Sequence, residues 1–141
     1  MAGLRLGYVC GRPEWINEFN KTRSPFNINV LTEAVAIKLL QNKQVLDAQA
    51  AKVLDERERV RPELERVSGL KVYPSAANFL LVRVAGAKGA GTRAFERLKQ
   101  QGVLVKDFSG GHPLMENCLR LTIGTPGENR ILIAALREAL N

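Results

Sequence analysis

The apolar residues of this chain recur with two periods, one helical and one typical of strands. From about Asn29 to Asn42, Val30, Ala34, Ile37 and Leu40 are spaced for one face of an amphipathic helix. A longer helical pattern follows over about residues 44–67, with Val45, Leu46, Ala50, Val53 and Leu54 towards a core. Pro62 lies inside it. A proline removes a backbone donor and crowds the preceding turn, so a kink or a break is expected there. Ser68-Gly69 ends the pattern, with glycine where the chain must turn left-handed. Upstream, Leu4 to Val9 reads as a short strand ended by Gly11, and Arg12-Pro13 opens a short helix. Trp15, Ile16 and Phe19 form that helix's apolar side, and Ser24-Pro25-Phe26-Asn27 stops it.

After Gly69 the pattern changes. Leu70–Tyr73, Asn78–Val84, Val103–Lys106 and Cys118–Ile123 read as strands. A helix is expected from about Thr92 to Gln101, with Ala94, Phe95 and Leu98 inward and Gly102 at its end. The glycine-rich stretch 85–91 lacks the spacing and the Lys-Ser/Thr ending of a phosphate loop and reads as a connector. Thr125-Pro126-Gly127-Glu128 predicts a capping box, a threonine N-cap with glutamate three residues on, opening a last helix whose buried face is Leu132, Leu136 and Leu140. The one clear compositional break falls near Ser68, so the chain is divided into residues 1–67 and 68–141.

The composition supports a folded chain. Of 141 residues, 45% are hydrophobic and 25% charged, which argues against disorder. No apolar run approaches the roughly 20 residues a membrane helix needs, and the first residues carry no signal-peptide pattern. Cys10 and Cys118 are too few and too far apart for a disulfide framework or a zinc site, and read as reduced, buried thiols. His112 sits in a turn-like Gly-Gly-His-Pro context with no cluster of ligands beside it. The net charge of +7 raises nucleic acid as a partner. Against that, the densest basic group, Arg57, Arg59, Arg61 and Arg66, is interleaved with Asp55, Glu56, Glu58, Glu63 and Glu65, the pattern of a solvated helix face.

The candidate chemistry lies on the last strand. Side chains alternate across a strand. Leu119, Leu121 and Ile123 therefore share one face, under the final helix, and Arg120 and Thr122 share the other. A mid-strand arginine among apolar neighbours either grips an anion with its planar fork, or lies on a solvated face or against an internal acid. Arg5, between Leu4 and Leu6, poses the same choice. Asn78 reads as a turn cap and Tyr8 as a half-buried aromatic. No nucleophile–base pair and no carboxylate couple is present. Read from its residues, the chain offers anion-binding arginines without a catalytic engine.

Four segments carry a family resemblance: Ala2-Gly3-Leu4-Arg5-Leu6-Gly7-Tyr8, Ser24-Pro25-Phe26-Asn27, Pro74-Ser75-Ala76-Ala77-Asn78-Phe79, and Cys118 to Pro126. In that order and spacing the chain resembles the fold-type-I aminotransferases, which work with pyridoxal 5'-phosphate. Within them it looks most like the histidinol-phosphate aminotransferases, a choice that Gly102-Val103-Leu104-Val105-Lys106-Asp107 supports. The resemblance implies an α/β fold. Residues 68–141 would be the C-terminal small domain, a small mixed or antiparallel sheet covered by helices and preceded by a long interdomain helix. Residues 1–67 would be the remnant of the large cofactor domain with the interdomain helices.

The resemblance also implies site residues. Arg5 would hold the cofactor's phosphate. Arg120 would grip the substrate's α-carboxylate, or its phosphate in histidinol phosphate. Lys106 stands where many relatives carry an arginine for the substrate phosphate, keeping the charge without the bidentate geometry. The family's Schiff-base lysine would precede the first motif and is not among these residues, so no catalytic residue and no metal is assigned. The chain alone is expected to be inactive, to bind the cofactor weakly or not at all, and to self-associate through surfaces left open. The complete enzyme would be a cytoplasmic homodimer acting on histidinol phosphate and 2-oxoglutarate, without nucleic-acid or membrane partners. The alternatives are another aminotransferase of this class, aromatic or broad in specificity, a threonine-phosphate decarboxylase, or a non-catalytic binding or dimerisation module.

Overall fold

The computed structural model describes residues 2–141 and divides into two compact units, Met1–Asp47 and Ala48–Asn141. The division falls 20 residues before Ser68, because the later turns of the long helix pack into the second unit's core.

In the first unit a 3-10 turn at Ala2–Leu4 is followed by irregular backbone, then by α1 (Pro13–Thr22) and α2 (Val30–Gln41). The strand expected over Leu4–Val9 is not formed. A strand is stabilised by its ladder, and none of the described residues pairs with this segment. The expected apolar sides are also open. Trp15 and Phe19 are exposed, α1 buries no residue, and α2 buries Thr32 and Ala36 rather than Val30, Ile37 and Leu40. Cys10 is exposed rather than buried, and Tyr8 is fully open rather than half-buried. Two short helices leave too few layers to close a core around these side chains.

The second unit is a two-layer α/β sandwich. α3 (Lys43–Glu65) enters it and runs through Pro62 as one helix, so the expected break is absent. The proline forfeits the one bond its N–H would have given to the Glu58 carbonyl, and only three helical residues follow it. Four antiparallel strands follow, β1 (Leu70–Val72), β2 (Phe79–Val84), β3 (Lys106–Asp107) and β4 (Cys118–Thr122), in the order β1-β2-β4-β3. The sheet is wholly antiparallel. α4 (Ala90–Gln100) and α5 (Pro126–Leu140) complete the unit.

Period-two alternation decides which face is covered. Leu80, Val82 and Val84 of β2 and Leu119 and Leu121 of β4 are buried in one cluster with Val60 and Leu64 of α3, Leu98 of α4 and Leu132 and Leu136 of α5. The three helices therefore lie on one face of the sheet. α5 begins with the expected capping box, the Thr125 hydroxyl accepting from the Glu128 N–H and the Glu128 carboxylate from the Thr125 N–H. α4 begins two residues earlier than expected, at Ala90, with Gly89 left-handed at its cap.

The charged stretch of α3 is not a uniformly solvated face. The side chains of Glu56 and Arg57 are each only 11% exposed. Arg57 donates to the Ala77 carbonyl. Glu56 accepts from the amide of Asn129, which is itself buried and also bonds both the N–H and the carbonyl of Gly124. Hydrogen bonds from Arg59 and Asn129, against a smaller opposing effect of burial, lower the Glu56 carboxyl from 4.5 to about 2. A folded-state value below the unfolded one contributes stability above pH about 4.5, lost as pH falls towards 2. Glu56→Gln is therefore expected to narrow its stability gap from the parent through that window. Urea midpoints at pH 7, 4, 3 and 2 check this, and a gap constant with pH would contradict it.

Candidate functional site

No α-helix of this unit covers the opposite face of the sheet, and only its Cys118 end is closed over, where Arg83 reaches the Leu114 carbonyl. Its residues follow from the register. Lys71 of β1 opposes Arg83 of β2, and Arg83 opposes Cys118 of β4. In the next row Leu81 opposes Arg120, and Arg120 opposes Lys106 of β3. Phe79 opposes Thr122. Tyr73 and Phe108 extend the same face from the ends of β1 and β3, Tyr73 donating its N–H to Leu81 and Phe108 its N–H to Cys118.

Among the described residues this face carries four cations, Lys71, Arg83, Lys106 and Arg120, and no carboxylate. Among the described residues none of the four forms an ion pair. The one acid nearby, Asp107, alternates to the other side and accepts from Thr92 and Ser109. Burial pushes its carboxyl up, but the hydrogen bonds from Ser109 and Thr92 and the charge of Lys106 outweigh this and hold it below the usual range. Asp107 is therefore charged and occupied.

Like charges placed directly opposite across a strand pair destabilise a sheet. Lys106 and Arg120 are placed so, with Arg120 half-buried. Arg120 lies 5.5 Å from the Phe79 ring centroid and 5.9 Å from that of Phe108. Arg83 and Lys71 share the ring of Tyr73, at 5.6 and 5.2 Å. Arg83 spends donors on the Cys118 sulfur and the Leu114 carbonyl. For Arg120 no such partner is present among the described residues. The pair Arg120–Lys106 therefore presents a planar fork beside a point charge, a combination that suits a phosphate or a carboxylate.

The structure thus brings together two of the three site residues expected from sequence. Arg5 belongs to the other unit, exposed, on irregular backbone with a left-handed φ of 52°. Asn78 is exposed, and its carbonyl accepts from the Ile123 N–H. The turn before it is closed by Ser75, whose hydroxyl bonds the Ala77 N–H and the Phe79 carbonyl. His112 caps a short 3-10 turn by accepting from the Leu114 N–H. Residues 103–105, expected as strand, are not. The ladder begins at Lys106, because the Val103 N–H goes to Leu98 in closing α4. Sequence reading missed Phe79, Phe108, Lys71 and Arg83. Alternation applied to Asn78–Val84 would have put Phe79 and Arg83 on the face of Arg120; Phe108 lay beyond the expected strand.

A model of the class I and II aminotransferases matches residues 1–136. The chain belongs to this family. Curated relatives in it include histidinol-phosphate aminotransferase 1 of Burkholderia lata, 51% identical over 99% of this chain, and histidinol-phosphate aminotransferase 1 of Ralstonia nicotianae, also 51% identical over 99%. The chain spans only 38% and 36% of their respective lengths. Among solved structures, histidinol-phosphate aminotransferase from Sinorhizobium meliloti, in complex with pyridoxal-5'-phosphate, matches 99% of the chain at a TM-score of 0.85 and 28% identity, again over 38% of that chain. The enzyme of the same name from Clostridium acetobutylicum shares the fold at a TM-score of 0.80 over 91% of this chain and 38% of its own, at 22% identity. The small antiparallel sheet with its helices is thus a part of the aminotransferase fold.

Proposed function

We propose that this chain supplies the substrate-phosphate side of a pyridoxal-phosphate-dependent histidinol-phosphate aminotransferase. The observation that carries the reading is Arg120 directly opposite Lys106 on an open, acid-free sheet face. In this reading glutamate gives up its amino group and the keto group of imidazole-acetol phosphate receives it, yielding L-histidinol phosphate and 2-oxoglutarate. Arg120 takes two oxygens of the substrate phosphate through its fork, and Lys106 adds the second charge that separates a dianion from a carboxylate. A plain amino acid would meet one cation in excess, so selectivity favours the phosphate-bearing substrate.

The cofactor fits this chain at one point. Arg5 is an exposed guanidinium with no ion pair among the described residues, the chemistry a phosphate group needs. When bound, pyridoxal phosphate supplies the electron sink on which amino transfer depends. Arg5 would hold its phosphate end, and Arg120 and Lys106 would hold the substrate. No group in these residues is assigned as the amine that holds the cofactor or as the base that moves the proton. The 141 residues alone are therefore proposed to be inactive.

By family descent, residues 1–67 belong with the large cofactor domain and the interdomain helices, and residues 68–141 form the small domain. The physical unit around the proposed substrate site begins earlier, at Ala48. The complete enzyme is proposed to be a cytoplasmic homodimer. No described helix is long and apolar enough to cross a membrane.

A chimera tests the reading. This chain would replace the matching 38% of the Burkholderia lata relative, with which it is 51% identical. The expected result is transamination of histidinol phosphate in clear preference to phenylalanine or aspartate, while the purified chain alone turns over neither. A folded chimera that prefers a plain amino acid, or a chain active by itself, would overturn it.

A further inference from the structure

We infer that Phe79 and Phe108 are positioning residues for Arg120: their rings hold its guanidinium over the open sheet face without neutralising it. The inference rests on the reading of Arg120 and Lys106 as an anion site, and adds how that cation is kept both ordered and available.

A half-buried arginine is ordinarily fixed by a carboxylate or by carbonyls. The other half-buried arginines show this. Arg57 and Arg61 each pair with a glutamate, and Arg83 is fixed by the Leu114 carbonyl and the Cys118 sulfur. A carboxylate beside Arg120 would order it equally well, but would compete with an incoming oxyanion for the same N–H groups. An aromatic ring attracts the cation through its quadrupole and takes up none of them.

The two rings flank Arg120 from opposite diagonals. Phe79 on β2 opposes Thr122, two residues after Arg120. Phe108 follows β3 and donates its N–H to Cys118, two residues before it. Side chains on such diagonals are within reach when aromatic and long, and the centroid distances of 5.5 and 5.9 Å confirm that these are. Neither ring is loosely held. Phe79 starts a strand paired to β4. Phe108 sits between Asp107 and Ser109, where Asp107 accepts from the N–H and hydroxyl of Ser109 and from the hydroxyl of Thr92 on α4. Ser109 and Thr92 thus fix the position of one wall of the clamp.

The test uses the chain itself. Nitrogen relaxation at Arg120 Nε measures its mobility directly, and a backbone spectrum monitors the fold. Arg120 Nε is expected to be as ordered as the sheet in the parent, looser in Phe79→Leu and in Phe108→Leu, and ordered again in Phe108→Tyr. Titration with inorganic phosphate should show binding weakened about two- to tenfold in the double leucine variant, the cost of ordering on binding a side chain that the rings no longer hold. If Phe79→Leu fails to fold, Phe108→Leu and Phe108→Tyr carry the comparison alone. Equal Arg120 order in all folded variants would overturn the clamp. A parent chain with an ordered Arg120 that does not bind phosphate would instead remove the anion-site reading and leave the clamp standing.

Discussion

Replacing Asn117 by alanine is expected to lower the stability of this chain by about 3–5 kcal/mol, a large share of the ~5–15 kcal/mol that holds a domain together. Asn117 is 5% exposed and left-handed, with φ 58°. Its side-chain oxygen accepts the buried N–H of Gly91 in the first turn of α4, and its amide donates to the carbonyls of Gly86 and Ala87. Alanine would strand the Gly91 N–H in a site where a lost partner costs about 1–3 kcal/mol. Alanine would also keep a β-carbon in the left-handed region, which costs ordinary residues roughly 1–2 kcal/mol, without the polar side chain that lets asparagine tolerate it. The site cannot relax inward. A β-carbon on Gly91 would already stand 2.7 Å from the Asn117 Cα, so α4 and this turn touch backbone to backbone. Asn117→Gly separates the contributions, since glycine removes the backbone strain and keeps the hydrogen-bond loss. Urea denaturation of the three proteins decides the matter: the order should be asparagine, then glycine, then alanine. A loss below about 1 kcal/mol for alanine would sink the argument.

This lock was not legible in the sequence, and the reason is physical. Asn117 acts through partners 26 to 31 residues away, which no local pattern encodes. Where a feature is local, the sequence suffices. The capping box at Thr125 and Glu128 needs only four consecutive residues. The split of β4 into Leu119 and Leu121 inward and Arg120 outward needs only the pleat. Features that depend on a partner strand fail. Leu4–Val9 has strand composition, yet no neighbour among the described residues supplies its ladder. Val103–Val105 has it too, but the close of α4 claims the Val103 N–H and moves the start of pairing to Lys106. The register of the pairing that does form sets Lys106 opposite Arg120. The proposed site therefore depends on a register that periodicity alone did not predict, although both of its cations were named from sequence.

The same register gives the largest expected effect on activity. In the chimera described above, Arg120→Met should lower kcat/KM for histidinol phosphate by about a hundred- to a thousandfold, as expected from losing two charge-assisted hydrogen bonds of about 1.5–3 kcal/mol each, offset in part by Lys106 and water. Methionine keeps the length and the apolar contact with Phe79 and Phe108, so stability should change little, and an unchanged urea midpoint is part of the prediction. Lys106→Met should cost less, since a flexible, exposed ammonium contributes charge without a fixed fork. The two losses should also differ by substrate. For a phosphate-bearing substrate both variants suffer. For a plain amino acid, Lys106→Met should be nearly silent, because no dianion is present to use the second charge. Equal losses on both substrates would mean that Arg120 and Lys106 do not act together on a phosphate, and would leave Arg120 as a general carboxylate grip of the aminotransferase family.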